Sequence, residues 1–274
     1  MNKSMSDSDT VFVFSDHSGT WIPTGLFPIP NRAMNFGDGI FETMVFDQNQ
    51  IRFSEFHQDR AFRALEALGI KPTHFDLDLL QDFLATRFSG NKLRVRLNLF
   101  RSGSGKYTPI ENSLSQTLHL VPFHAAPRVK PIAGISDSIR LSNTPWSSFK
   151  TLNAMPYIMA AQERQKRGWD EILLRDAQGR LSEAGASNLF WQKGNEIFTP
   201  DLECGCIGGV SRRVIMEEAA NCGLEVVEGS FYPADLTQAE RVWVSNVTGV
   251  SYLDRIESKQ FSTESLLWLD KLFD

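Results

Sequence analysis

Apolar and polar positions along this chain alternate in short runs, and the period changes at a few definite points. VFVFSD at 11–16, GIFETMVF at 39–46 and QIRF at 50–53 carry β-branched and aromatic residues, which predicts strands. The polar turn Asp47-Gln48-Asn49 joins the last two runs as a hairpin. From Ser54 the period lengthens. Ala61, Ala64, Leu65 and Leu68 fall at i, i+3, i+4 and i+7, with Ser54 placed to cap and Gly69 to stop an amphipathic helix. A second helix is expected over 77–88. Leu93, Val95, Leu97 and Leu99 then alternate with Arg94, Arg96 and Asn98, the mark of a half-buried strand. A flexible Ser/Gly loop follows at 102–106, and TLHLVPF at 117–123 reads as another strand.

The second half repeats this alternation on a larger scale, without an internal sequence repeat. IRLS at 139–142 is strand-like, a helix runs to about Arg167, and EILLRD, SNLFWQ and EIFTP are strands around the turns at 177–179 and 193–195. A helix from about Ser211 to Asn221 and the strands EVVEGSF and RVWVSNV complete the pattern. Such runs of antiparallel-looking strands with interspersed helices predict two α+β units, not a doubly wound sheet. Residues 1–124 form the expected smaller domain and 132–274 the larger one. The stretch 125–131, with two prolines and mixed Lys and Arg, is the expected linker.

Composition narrows the partners. With 42% hydrophobic and 22% charged residues in 274, the chain is ordinary for a globular enzyme. A net charge of -5 argues against nucleic acid, whose phosphates call for a basic surface. No apolar run approaches the roughly 20 residues that span a bilayer. The leader 1–10 lacks an apolar stretch, so it reads as a short disordered lead and not a signal peptide. Three cysteines, two of them in a C-x-C, and scattered histidines give neither a disulfide framework nor a metal site. A reducing cytoplasm and no metal are expected.

The chemistry concentrates between Phe149 and Trp191. Lys150 precedes a helix-like stretch, and Glu183 sits in a Ser/Gly/Ala-rich turn that lets backbone approach a ligand. An amine able to form a Schiff base, with a carboxylate able to hold a pyridinium nitrogen, is what a pyridoxal phosphate (PLP) site requires. Gly208-Gly209-Val210-Ser211 at a helix start would expose backbone N–H groups and the positive end of a helix dipole to an anion.

KTLNAMPYIMAAQERQKRGWDEILLRDAQGRLSEAGASNLFW resembles the core signature of the class IV, fold-type IV PLP enzymes. That family includes branched-chain aminotransferases, D-amino acid aminotransferases and aminodeoxychorismate lyases. NRAMNFGDGIFETMVF and FHQDRAFRALEALGI upstream, and CIGGVSRRVIMEEA and RVWVSNVTGV downstream, extend the likeness from about Phe36 to about Val250. The resemblance implies a homodimer with PLP in the cleft between a small and a large α/β domain. Lys150 would bond the cofactor and act as general base. Glu183 would face the ring nitrogen, with Asn188 bonding backbone nearby. Gly209, Val210 and Ser211, with Arg60 on the first helix and Asn246 and Thr248 in a later turn, would hold the phosphate.

The reaction is less narrowly implied. The Tyr that branched-chain aminotransferases carry in a G-G-N-Y setting after the lysine is absent. The loop FRSGSGKYTP has Arg101 and Tyr107 but not the His of D-amino acid aminotransferases. It is similar to the R-G-x-G-x-x-G-Y-x-P loop of aminodeoxychorismate lyases, with Lys106 at a usual Gly, and would bring Arg101 and Tyr107 to substrate. The resemblance thus leans to a lyase of folate biosynthesis, with a class IV aminotransferase acting on branched-chain or other amino acids as the alternative.

Overall fold

A computed structural model describes residues 11–24 and 29–273; the expectation for the leader at 1–10 lies outside them. The chain divides into two compact units. One runs to His124 and takes in Phe149–Asn153; the other comprises Ala125–Ser148 and the chain from Ala154 onward.

In the first unit, the described residues form β1 (Val11–Ser15), β2 (Thr20–Pro23), β3 (Gly39–Asp47), β4 (Gln50–Ile51), β5 (Leu93–Arg101) and β6 (Leu114–Pro122). They make one antiparallel sheet in the order β2-β1-β6-β5-β3-β4. The alternation at 93–99 does what it predicts: Leu93, Val95, Leu97 and Leu99 are buried in a core with Phe12, Met44 and Phe46. Helices α1 (Arg32–Phe36), α2 (Ser54–Ala67) and α3 (Leu77–Arg87) belong to this unit. The stripe Ala61, Ala64 and Leu65 is the buried face of α2, as Leu77, Leu80 and Leu84 are of α3. Ser54 is not the cap. It is the first helical residue, and Phe53 precedes it in a left-handed conformation with no side-chain cap bond.

The second unit holds β7 (Val129–Leu141), β8 (Glu171–Asp176), β9 (Leu181–Ala184), β10 (Asn188–Lys193), β11 (Glu196–Pro200), β12 (Glu225–Gly229), β13 (Arg241–Asn246), β14 (Gly249–Ile256) and β15 (Lys259–Gln260). Eight run in the order β12-β11-β10-β13-β14-β7-β8-β9, and β15 pairs with β14. Strand β7 is parallel to both its neighbours. It also begins earlier than the sequence suggests: Val129 and Lys130, within the expected linker, already pair with Tyr252 and Leu253. Helices α4 (Met155–Arg167), α5 (Val210–Asn221) and α6 (Leu267–Asp270) complete the unit. Phe190 and Trp243 face each other across β10 and β13 with rings stacked at 5.7 Å, both fully buried. Aromatic pairs of this kind add about 0.5–1.5 kcal/mol beyond their burial.

Candidate active site

Lys150 owes its place to an open sheet edge. Strand β4 pairs only with Phe46 and Asp47, so the Gly39–Phe41 end of β3 has unanswered backbone groups on that side. Residues 150–152 answer them. The Phe41 N–H donates to the Lys150 carbonyl (2.8 Å), the Leu152 N–H donates to the Gly39 carbonyl (2.9 Å), and Thr151 bridges to Ile40. Gly39 is required there, since a Cβ would overlap the Leu99 carbonyl and Phe100. The backbone of Lys150 is thus fixed by strand-type bonds, while its half-buried side chain carries the ammonium 4.8 Å from the centre of the Phe41 ring.

On the same strand, Glu42 points into the unit and is almost wholly buried. Two side chains of α2 meet it. Arg60 donates from Nε to Oε1 (2.8 Å) and from its terminal nitrogen to Oε2 (2.5 Å), and His57 Nδ1 lies 2.7 Å from Oε2. Burial alone would raise the Glu42 carboxyl, but the Arg60 charge and the His57 hydrogen bond bring it down to about 2. His57 is lowered, first by burial, against the pull of Glu42; the charge of Lys150 also contributes. The imidazole is therefore neutral at pH 7, and its Nδ1–H donates a hydrogen bond to the ionised Glu42. Its Nε2 is buried without a hydrogen-bond partner among the described residues.

This cluster sets an acid limit on stability. Both groups have folded values below their ordinary ones of 4.5 and 6.5. Their contributions are therefore full at neutral pH and decline as pH falls, His57 first below its ordinary value, then Glu42 between 4.5 and about 2. For Glu42 the gap corresponds to about 3 kcal/mol. Melting temperatures should show Glu42→Gln well below wild type at pH 7, with the difference narrowing as both are titrated toward about pH 3. A constant difference across that range would remove Glu42 as the cause.

In the second unit, Glu183 lies on β9, whose four residues are all buried. Its Oε1 accepts the Tyr157 hydroxyl proton at 2.5 Å and its Oε2 accepts the Ile207 N–H at 3.2 Å. The strand places the acid, and the loop ahead of α5 turns back to it. That loop is tightly specified. Asn188 Nδ2 donates to the Ile207 carbonyl (2.7 Å), and a Cβ on Gly209 would collide with the Asn188 side-chain oxygen. Gly209 is the extended N-cap of α5 and makes no side-chain cap bond, so the helix opens with backbone N–H groups at Val210 and Ser211 that no cap answers. The Ser211 and Ser245 hydroxyls are 3.2 Å apart. Asn246 shapes the next turn: its Oδ1 accepts from the Thr248 N–H and hydroxyl, and its Nδ2 donates to Ser187. Glu183, Asn188 and Gly209 thus meet at Ile207, while Ser211 bonds Ser245 and Asn246 bonds Ser187 and Thr248.

Arg101 and Tyr107 are placed differently from the expectation that both meet substrate. The buried Arg101 guanidinium donates to Asp38, to the carbonyls of Leu68 and Gly69, and to Asn112. It is an internal brace. Asp38 is shared with Arg32 (2.6 Å), which also holds the Lys106 carbonyl at 2.8 Å. Tyr107 is exposed, its ring 5.7 Å from Phe36. Glu42, His57 and Tyr157 escape the sequence reading. Their signal was present only as letters inside GIFET, FHQDR and AMPYI.

A family model for amino-transferase class IV matches residues 39–252. An aminodeoxychorismate lyase of Bacillus subtilis (strain 168) is 30% identical over 84% of this chain and 81% of its own length. Among solved structures, the 4-amino-4-deoxychorismate lyase of Pseudomonas aeruginosa superposes with a TM-score of 0.82 at 24% identity, over 93% of this chain and 94% of the other. A hypothetical aminotransferase from Mycobacterium tuberculosis in its PLP-bound form gives 0.80 at 17% identity, covering 96% and 97%.

Proposed function

We propose, for a chain that belongs to the amino-transferase class IV family, the reaction of an aminodeoxychorismate lyase: pyruvate is eliminated from 4-amino-4-deoxychorismate to leave 4-aminobenzoate, a step toward folate. The likeness to the Bacillus subtilis lyase along most of both chains carries this reading. The loop with Arg101 and Tyr107 supports it. Arg101 would act there as the anchor and Tyr107 as the group presented to substrate.

The family is PLP-dependent, and the residues here fit that group. Uncapped amides at the start of α5, a glycine that tolerates no Cβ, a buried carboxylate and a lysine amine suit a phosphate, a ring nitrogen and an aldehyde. When bound, PLP supplies an electron sink for the carbon next to the substrate amine. The chain's own residues do the rest. The amides of Val210 and Ser211, the Ser211 hydroxyl and the turn at Asn246 and Thr248 would hold phosphate, with Arg60 as counter-charge. Glu183 would keep a proton on the ring nitrogen, and Asn188 fixes the loop ahead of α5. Lys150 Nζ would hold the aldehyde carbon of the cofactor and would serve as base for the proton on the carbon beside the substrate amine. The C–O bond to the enolpyruvyl group would then break, its electron pair leaving with enolpyruvate, which takes up a proton to become pyruvate while the ring aromatises.

Amino-group transfer to 2-oxoglutarate is the second reading, because Lys150 and Glu183 would serve it equally and structural relatives include aminotransferases. Supplying the enzyme in parallel with aminodeoxychorismate, made in situ from chorismate by a synthase, and with L- and D-amino acids plus 2-oxoglutarate separates them. Aminobenzoate without glutamate is expected; glutamate alone would overturn the lyase reading.

Arg60→Ala should weaken PLP binding by apo-protein on the order of a hundredfold, the loss of a charge-assisted contact of about 2–3 kcal/mol. It should also lower the melting temperature, because Glu42 keeps its burial and loses its cation. Arg63→Ala is the control: Arg63 is exposed and pairs only with Asp59 one turn away. Unchanged cofactor affinity in Arg60→Ala would take Arg60 out of the phosphate site.

The protein also works, in this reading, as a cytoplasmic homodimer. Met155, Ile158 and Met159 form an exposed apolar stripe along one side of α4, a surface suited to a second copy. Light scattering should return twice 30.9 kDa. A single-chain mass at micromolar concentration would reject the dimer. The three cysteines are free, as a reducing compartment keeps them.

A further inference from the structure

Tyr157 stands in the first turn of α4, just after Pro156. Its ring is half-buried, and its hydroxyl makes one of the shortest side-chain contacts of the second unit, 2.5 Å to Glu183 Oε1. Neither the sequence motifs nor the site described above gives this phenol a task. A carboxylate can accept about four hydrogen bonds. Two of the donors to Glu183 are the phenol on Oε1 and the Ile207 amide on Oε2. The two differ in kind. The amide belongs to the loop that leads into α5, whereas the phenol belongs to a different element and can be removed without touching any backbone.

We propose that Tyr157 is a positioning residue for Glu183, its phenol proton fixing the plane of the carboxylate and restraining the basicity of the oxygen it meets. The proposal rests on Glu183 being the partner of the cofactor's ring nitrogen. A hydrogen bond donated to an ionised carboxylate favours the ionised form. With the phenol in place, a proton shared between ring nitrogen and Glu183 stays on the nitrogen. Without it, the carboxylate becomes the better base and draws that proton toward itself, so the ring accepts electrons less well. The phenol keeps its own proton throughout: burial raises it, and the charge of Glu183 raises it further.

The test is Tyr157→Phe, which keeps the ring and its packing and removes only the donor. Holo-protein carrying pyridoxal phosphate labelled with nitrogen-15 reports the protonation of the ring nitrogen directly, and only folded, loaded molecules give the signal. In wild type the resonance should lie at the pyridinium position. In Tyr157→Phe it should move toward neutral pyridine, with kcat reduced roughly tenfold or more and KM changed less than about twofold, since no substrate contact is lost. Glu183→Gln, measured alongside, separates the two layers of the argument. If Glu183→Gln shifts the resonance and Tyr157→Phe leaves it at the pyridinium position, the tyrosine is only a packing residue and the proposal fails. If neither variant moves it, Glu183 is not the nitrogen partner, and the underlying reading fails first.

Discussion

Lys150→Ala should abolish turnover, together with the visible, borohydride-sensitive absorbance that a lysine-linked pyridoxal phosphate gives. A lost general base alone costs about 10²–10⁴ in rate, and in the proposed reading the same nitrogen would also bond the cofactor. No neighbour can stand in, because the backbone at 150–152 is tied to β3 and the ammonium projects from that fixed point toward Phe41. The fold should hardly notice. The side chain is half-buried, and its contact with the Phe41 ring is worth about 0.5–1 kcal/mol. Absorbance spectra before and after borohydride, with peptide mapping of the reduced adduct, check this. Colour retained in the variant, or an adduct on another lysine, would overturn the assignment.

Glu183→Gln should retain PLP and slow the reaction by about a thousandfold or more, the scale seen when one buried electrostatic partner of a developing charge is removed. The groups proposed to hold phosphate at the start of α5 and the amine of Lys150 are untouched, so cofactor affinity should fall little. The amide fails on two counts. It cannot carry the negative charge that, in the proposed reading, keeps a proton on the ring nitrogen. It also has a single acceptor oxygen where Tyr157 and the Ile207 N–H both donate, so one of those donors meets an NH2 group. Single-turnover kinetics at saturating cofactor measure the effect. Near-normal rates would make Glu183 a structural residue.

Much of this was legible along the chain, and what was not has identifiable causes. The strand at 93–99 and the helix through Ala61, Ala64 and Leu65 declared themselves because one face of each is buried and the period survives to the surface. Lys150 and Glu183 could be picked out because their neighbours are unusual. Glu42 could not. An acid in an alternating strand reads as solvent-facing, and only the arrival of Arg60 and His57 from α2 makes its burial tolerable. The partners of Arg101 were hidden for the converse reason. The likeness of its loop to that of the lyases implies a substrate contact, whereas its partners include carbonyls at Leu68 and Gly69 that no pattern in the sequence connects to it. The early start of β7 was hidden by Pro127 and Pro131, which read as a linker; Pro131 is exposed within the strand. The cap at Phe53 gave no signal at all, since a left-handed phenylalanine is the product of tertiary packing and not of local preference.

The five residues Phe149–Asn153 are late in the chain yet are counted with the early unit, bound to Gly39 and Phe41. The two units are therefore interleaved along the gene, not strung end to end. A crossover between relatives near residue 124 would not exchange whole modules. It would inherit the lysine from one parent and the strand edge that straightens it from the other. Chimeras joined there should recover cofactor capture only when the foreign β3 offers an equivalent glycine and open edge, which makes the Gly39–Phe41 segment and residues 149–153 a single heritable piece, split by more than a hundred positions of sequence.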